Sequence, residues 1–116
     1  MFEVEFYTLP DGRTPVREFL DSLSPKMRAK ALTSLELLEE YGPQLREPWS
    51  KALGDGLLEL RIKFSSDISR IFYFFVVGEH IVLTNGFIKK TRKTPKSELE
   101  LARKYKAEYE RRHCHE

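Results

Sequence analysis

LLELRIKF (57–64), RIFYFFVV (70–77) and HIVLTNGF (80–87) decide the fold of this chain. In the first run Leu60, Ile62 and Phe64 alternate with Glu59, Arg61 and Lys63, the period of two that sends one set to a core and the other to the opposite face of a sheet. The links Ser65-Ser66-Asp67 and Val77-Gly78-Glu79-His80 are short and turn-like, so the three runs read as an antiparallel meander.

Working outward, FEVEFY near the start alternates Phe2, Val4 and Phe6 with Glu3 and Glu5, which predicts a further half-buried strand whose acidic face belongs away from any basic site. Pro10, Asp11 and Gly12 then reverse the chain. Thr14-Pro15 and Ser24-Pro25 each place a capping residue before a proline, predicting a short helix to about Leu23 and a second helix after it. The second carries Met27, Ala31, Leu35, Leu38 and Tyr41 on one stripe and stops at Gly42-Pro43. Residues 43–56 show no period and are expected to form a loop pinned by Trp49, read as a packing anchor rather than a binding platform. Thr94-Pro95 caps a last helix with the stripe Leu99, Ala102, Tyr105 and Tyr109. The expected fold is α+β, an antiparallel or mixed sheet against an N-terminal helical hairpin in the order β-α-α-β-β-β-α, as a single domain over residues 1–116.

A chain of 116 residues can bury roughly two thirds of the surface it exposes when unfolded, and needs no disulfide staples. Its single cysteine, Cys114, can make no internal bridge, which fits a reducing compartment. The longest apolar run, Ile71 to Val77, is too short to span a bilayer, and MFEVEFYTL lacks the form of a signal peptide. A cytoplasmic protein without membrane attachment is expected.

Charge is distributed unevenly. The net charge is only +2, yet residues 57–96 carry Arg61, Lys63, Arg70, Lys89, Lys90, Arg92, Lys93 and Lys96 against Glu59, Asp67 and Glu79. The tract KKTRKTPK (89–96) has no acid at all. A concentration of this kind attracts a polyanion, although surface strands also carry lysine and arginine for solubility. Arg61 and Lys63 stand about 7 Å apart on one side of their strand, a spacing that can straddle a phosphate. Arg70 opens the next strand and is expected to approach Lys63 across the hairpin; its planar fork suits phosphate oxygens.

The run L-x-E-L-R-x-K, a hairpin, S-R-I-F-Y-F, a turn, H-I-V-L-T-N-G-F and the basic K-K-T-x-K before a final helix resembles the RelE/ParE superfamily of bacterial toxins, and within it the HigB-type, phage-protein-like branch. The resemblance covers nearly the whole chain. It implies the toxin of a type II toxin–antitoxin system, an endoribonuclease that cuts messenger RNA on the ribosome and needs neither metal nor other cofactor. The implied partner is a helix-turn-helix, HigA-like antitoxin in a complex with two copies of each chain, through which alone operator DNA is contacted. The resemblance assigns catalysis to Arg61, Lys63, Arg70 and Lys90, and RNA binding to Lys89 and Arg92, with Lys93 and Lys96 added by the charge of their tract. Glu59 reads equally as a general base or as the ion-pair partner of Arg61, and a lysine such as Lys63 or Lys89 is a second candidate base. Two other functions fit the same superfamily: a ParE-like inhibitor of gyrase, and an inactive toxin that only binds its antitoxin as a co-repressor.

Tyrosines or histidines that serve some relatives have no secure counterpart. Tyr73, Tyr105 and Tyr109 read as core, His80 as a solvated turn residue, and His113, Cys114 and His115 as incidental, since adjacent side chains share no helix face and a fourth ligand is missing.

Overall fold

The computed structural model describes residues 1–77, 79–89 and 94–113, with the backbone alone at Lys89. The strands are β1 (Glu3–Phe6), β2 (Ser50–Gly54), β3 (Leu57–Phe64), β4 (Asp67–Val76) and β5 (His80–Lys89); the helices are α1 (Pro15–Ser22), α2 (Pro25–Tyr41) and α3 (Lys96–Arg112). One mixed sheet has the order β1-β5-β4-β3-β2, with β1 parallel to β5 and every other neighbour antiparallel. The fold is α+β, as expected.

The centre of the sheet explains the apolar run in β4. A strand covered on both faces loses its alternation. Ile71 and Tyr73 pack with α1 and α2 residues such as Val16, Leu20, Leu35 and Leu38, while Phe72 and Phe74 pack on the other side with Ala102, Tyr105 and Tyr109 of α3. The helical hairpin therefore covers one face and α3 the other. At the edge of the first face α1 lies so close to β5 that a Cβ on Gly86 would meet Cδ2 of Phe19 at 2.4 Å.

Local chemistry sets the helix ends. Ser24 Oγ accepts from the Met27 amide at 3.3 Å, and Pro25 opens α2, as the Ser-Pro pair predicts. Gly42 closes α2 with φ of 51°, and the Phe2 ring fills the space that a side chain there would need. Thr14 takes an extended cap conformation without a side-chain cap bond.

Three expectations change. Residues 43–56 contain a short 3₁₀ turn (Gly42–Gln44) and the edge strand β2, which pairs with β3 and adds a fourth consecutive strand to the expected order. The reversal from β2 to β3 runs through Gly54, Asp55 and Gly56, all with positive φ. Tyr41 lies off the buried stripe of α2 and is exposed. Trp49 is not a buried anchor: it is 48% exposed at the foot of β2.

Candidate functional site

The β3–β4 hairpin turns over Ser65-Ser66, with Ser65 at φ 57°, and this fixes the register. Arg61 faces Arg70 directly, and Lys63 faces Ile68. The expected approach of Arg70 to Lys63 is thus replaced by an arginine–arginine pair, since Asp67 belongs to the strand rather than to the turn. Glu59 lies two residues before Arg61 on the same face. Its Oε2 pairs with Arg70 Nη1 and, at 3.4 Å, with Arg61 Nε. Its Oε1 accepts from Thr94 Oγ1 at 3.1 Å.

Burial gives this cluster its character. Glu59 is 1% exposed and Arg70 5% exposed, so the carboxylate sits under the two guanidinium groups as a buried anchor. A charge in such a place is tolerated only when it is paired and hydrogen-bonded. Arg61 is partly exposed and reaches outward, where Nη1 meets Glu47 Oε1 at 3.3 Å. Lys63 is exposed, with no ion-pair partner among the described residues. The expectation that Thr94 caps α3 is corrected here: Pro95 holds the cap position, and the Thr94 hydroxyl is bound to Glu59.

The cations border a groove of about 410 Å³. It exists because the β2 ladder ends at Ser50 opposite Leu60, with Arg61 N donating to Trp49 O at 2.8 Å, so the outer edge of β3 is uncovered beyond that point. Arg61, Lys63 and Arg70 line one side, Lys30 and Thr33 of α2 the other, and Trp49 one end. On the far side of Trp49 a second hollow, of about 400 Å³, opens toward Tyr41 and Leu45.

Of the other candidates, Lys96 is exposed at the first position of α3. The side chain of Lys89, and all of Lys90, Arg92 and Lys93, lie outside the described residues. The backbone of Lys89 pairs with Ile68, the neighbour of Lys63 in the next register, which brings the end of β5 to the same end of the sheet.

The opposite edge holds a separate polar network. His80 Nε2 meets Glu5 Oε1 at 2.5 Å, and Tyr109 Oη donates to the same oxygen at 2.9 Å. His80 is therefore a tie between β1, β5 and α3 rather than a solvated turn residue. Tyr7, Tyr73, Tyr105 and Tyr109 are buried, and the Ser50 and Tyr73 hydroxyls share a hydrogen bond. Burial, reinforced by the bond to the Glu108 carboxylate at 2.6 Å, pushes Tyr7 up to about 12. Burial likewise raises Tyr73 and Tyr105. The same bond from Tyr7, helped by Arg112, lowers Glu108. His113 stacks on Tyr109 at 4.1 Å, whereas Cys114 and His115 lie outside the described residues. Among the described residues no group of three or more His, Cys, Asp or Glu could hold a metal ion, and no helix is long and apolar enough to cross a membrane.

Sequence reasoning did not place Trp49 beside the cations. The signal was the Gly-Asp-Gly reversal, which marks residues 50–54 as a strand and places the tryptophan at a strand end beside Arg61.

No curated protein shows significant similarity to the chain. The model of the phage-derived Gp49-like proteins matches residues 18–107, from α1 through most of α3. That family lies in the RelE/ParE-like group of toxin–antitoxin proteins, which implies an antitoxin as partner. The span takes in β2 to β5, the groove and the Glu59 cluster, and the chain belongs to the family of phage-derived Gp49-like proteins.

Proposed function

We propose that the chain is a HigB-type endoribonuclease toxin that cuts messenger RNA on the translating ribosome. A helix-turn-helix antitoxin, in a complex with two copies of each chain, holds it in check. The observation that carries this reading is the placement of Arg61, Arg70 and Lys63 along one groove, with both arginines braced by Glu59.

The chemistry suited to this groove is transfer within the RNA itself. The ribose 2′-oxygen attacks the adjacent phosphorus as the bond to the 5′-oxygen of the next nucleotide breaks, leaving a 2′,3′-cyclic phosphate and a 5′-hydroxyl. Charge grows on the phosphoryl oxygens, and guanidinium groups already fixed in place stabilise it without reorganising. Glu59 is spoken for by two arginines and Thr94, so it acts as their anchor rather than as the base. Water takes the proton of the 2′-hydroxyl, and the Lys63 ammonium, exposed in the groove, gives one to the leaving 5′-oxygen.

The test is to induce the chain alone, as wild type and as Lys63→Ala and Arg61→Ala, and to map the 5′ ends of messenger RNA. New ends in phase with codons are expected for the wild type only. Arrest without new ends, accompanied by cleaved plasmid in a supercoiling assay, would replace the reading with gyrase inhibition, and absence of arrest would leave an antitoxin-binding co-repressor.

A further inference from the structure

A half-exposed tryptophan lines the groove together with Arg61, Lys63 and Arg70. Trp49 leaves about half of its surface in solvent and separates two hollows of similar volume. Both volumes fall within the roughly 300–1,000 Å³ typical of sites for small organic groups. The lining of the groove on the cationic side includes the apolar Ile62 and Ile68 as well as Arg70. Arg70 is 5% exposed, and its Nε has no hydrogen-bond partner among the described residues.

The uncovered edge of β3 adds a recognition element. Arg61 N donates outward to Trp49 O, and successive residues of an antiparallel strand alternate in direction, so the N–H and C=O of Lys63 also point outward. Beyond the end of β2 they face the groove as one donor and one acceptor.

A planar aromatic face, a main-chain donor and acceptor, and cations at phosphate spacing fit a flat heterocycle attached to an anion. We infer that this groove is a subsite for one unpaired nucleobase of single-stranded RNA, stacked on Trp49 and held at its edge by the main chain of Lys63. Arg61 and the Lys63 ammonium grip the phosphate of the same nucleotide. The inference rests on the proposed RNA substrate and adds to it the element that would read a base. Stacking tolerates every base, whereas a main-chain donor and acceptor favour those that present the complementary pair.

Trp49 is the only tryptophan of the chain, which makes it its own reporter. The probe is a five-nucleotide RNA with 2′-O-methyl groups, which cannot be cut, compared with an oligomer of equal phosphate count that lacks bases. The base-bearing probe is expected to quench Trp49 and to bind about 5- to 150-fold more tightly than the abasic one, the usual range for one stacked base. Trp49→Ala should bring the two affinities together, and Trp49→Phe should restore most of the difference. Lys63→Ala should weaken both probes alike through the lost phosphate contact.

Equal affinity for both probes, or unchanged binding by Trp49→Ala, would overturn the subsite while leaving the phosphate groove intact. Binding of neither probe to the wild type would overturn the RNA reading and the subsite together. Trp49→Ala binding RNA normally but losing the antitoxin would also overturn it, and would assign the groove to a protein partner.

Discussion

Arg61 and Arg70 are direct cross-strand neighbours on β3 and β4. Two like charges in that relation destabilise a sheet, and the pair persists because the Glu59 carboxylate sits between them and accepts from both. Under the proposed function, anion binding and folding therefore draw on the same three side chains. Removing Glu59 as Glu59→Ala strands a buried guanidinium, and a loss of about 3–5 kcal/mol is expected in urea unfolding. Glu59→Met combined with Arg70→Met should recover much of that loss, since an apolar pair can replace a buried ion pair. A Glu59→Ala chain as stable as the wild type would show that water, not the carboxylate, balances Arg70.

Lys63 presents the opposite case. It is exposed and without an ion pair among the described residues, so Lys63→Ala should change stability by no more than about 0.5 kcal/mol. Under the proposed function its effect belongs to binding. One phosphate contact fewer on single-stranded RNA should lower the slope of log affinity against log salt by about 0.7. An unaltered slope in anisotropy titrations would remove Lys63 from the phosphate path.

Gly86 tests the contact between α1 and the sheet. Gly86→Ala drives a methyl into the Phe19 ring and should cost about 1–3 kcal/mol by overpacking. Phe19→Leu in the same chain should relieve part of the strain, so the two changes are expected to be non-additive in thermal or urea unfolding. Simple additivity would mean that the ring swings away freely.

The network at the other edge predicts behaviour at both ends of the pH range. Tyr7 is raised to about 12, so the folded state holds its proton more firmly than the unfolded chain, whose tyrosine titrates near 10. Its contribution is complete below about pH 10 and disappears as pH climbs to about 12. Glu108 is lowered, so its contribution is present above the ordinary carboxylate range and is lost as pH falls through the depressed value. Absorbance at 295 nm should show the buried Tyr7, Tyr73 and Tyr105 ionising only together with unfolding, and Tyr7→Phe should flatten the alkaline limb of the stability profile. Reversible titration of all five tyrosines near 10 in the folded chain would contradict this burial.

The hairpin runs, the Ser24-Pro25 cap and the buried tyrosines were legible because alternation and capping act locally. Strand β2 was not. Its residues SKALG include one strong apolar group, Leu53, and an edge strand can form from such a sequence when its neighbour supplies the ladder. Missing β2 also hid the surroundings of Trp49, since an aromatic in a loop and one at a strand end look alike in sequence. Position along the chain placed Glu59, Arg61 and Lys63 on one face. The pairing of Arg70 with Arg61 depends on a turn of two residues rather than three, and the bond from Thr94 to Glu59 joins segments far apart in the sequence.

The parallel pairing of β1 with β5 bears on when the molecule becomes finished. Glu3 meets His80, and among the described residues β1 has no other neighbour in the sheet. Strand β1 must then wait for β5 to be made, at about 5–20 residues per second. Thr94 arrives later still, and with it the last bond to Glu59. Under the proposed function, a polypeptide that attacks translation is itself a product of translation. The fold delays assembly of its cation site until β3, β4 and Thr94 have all been made.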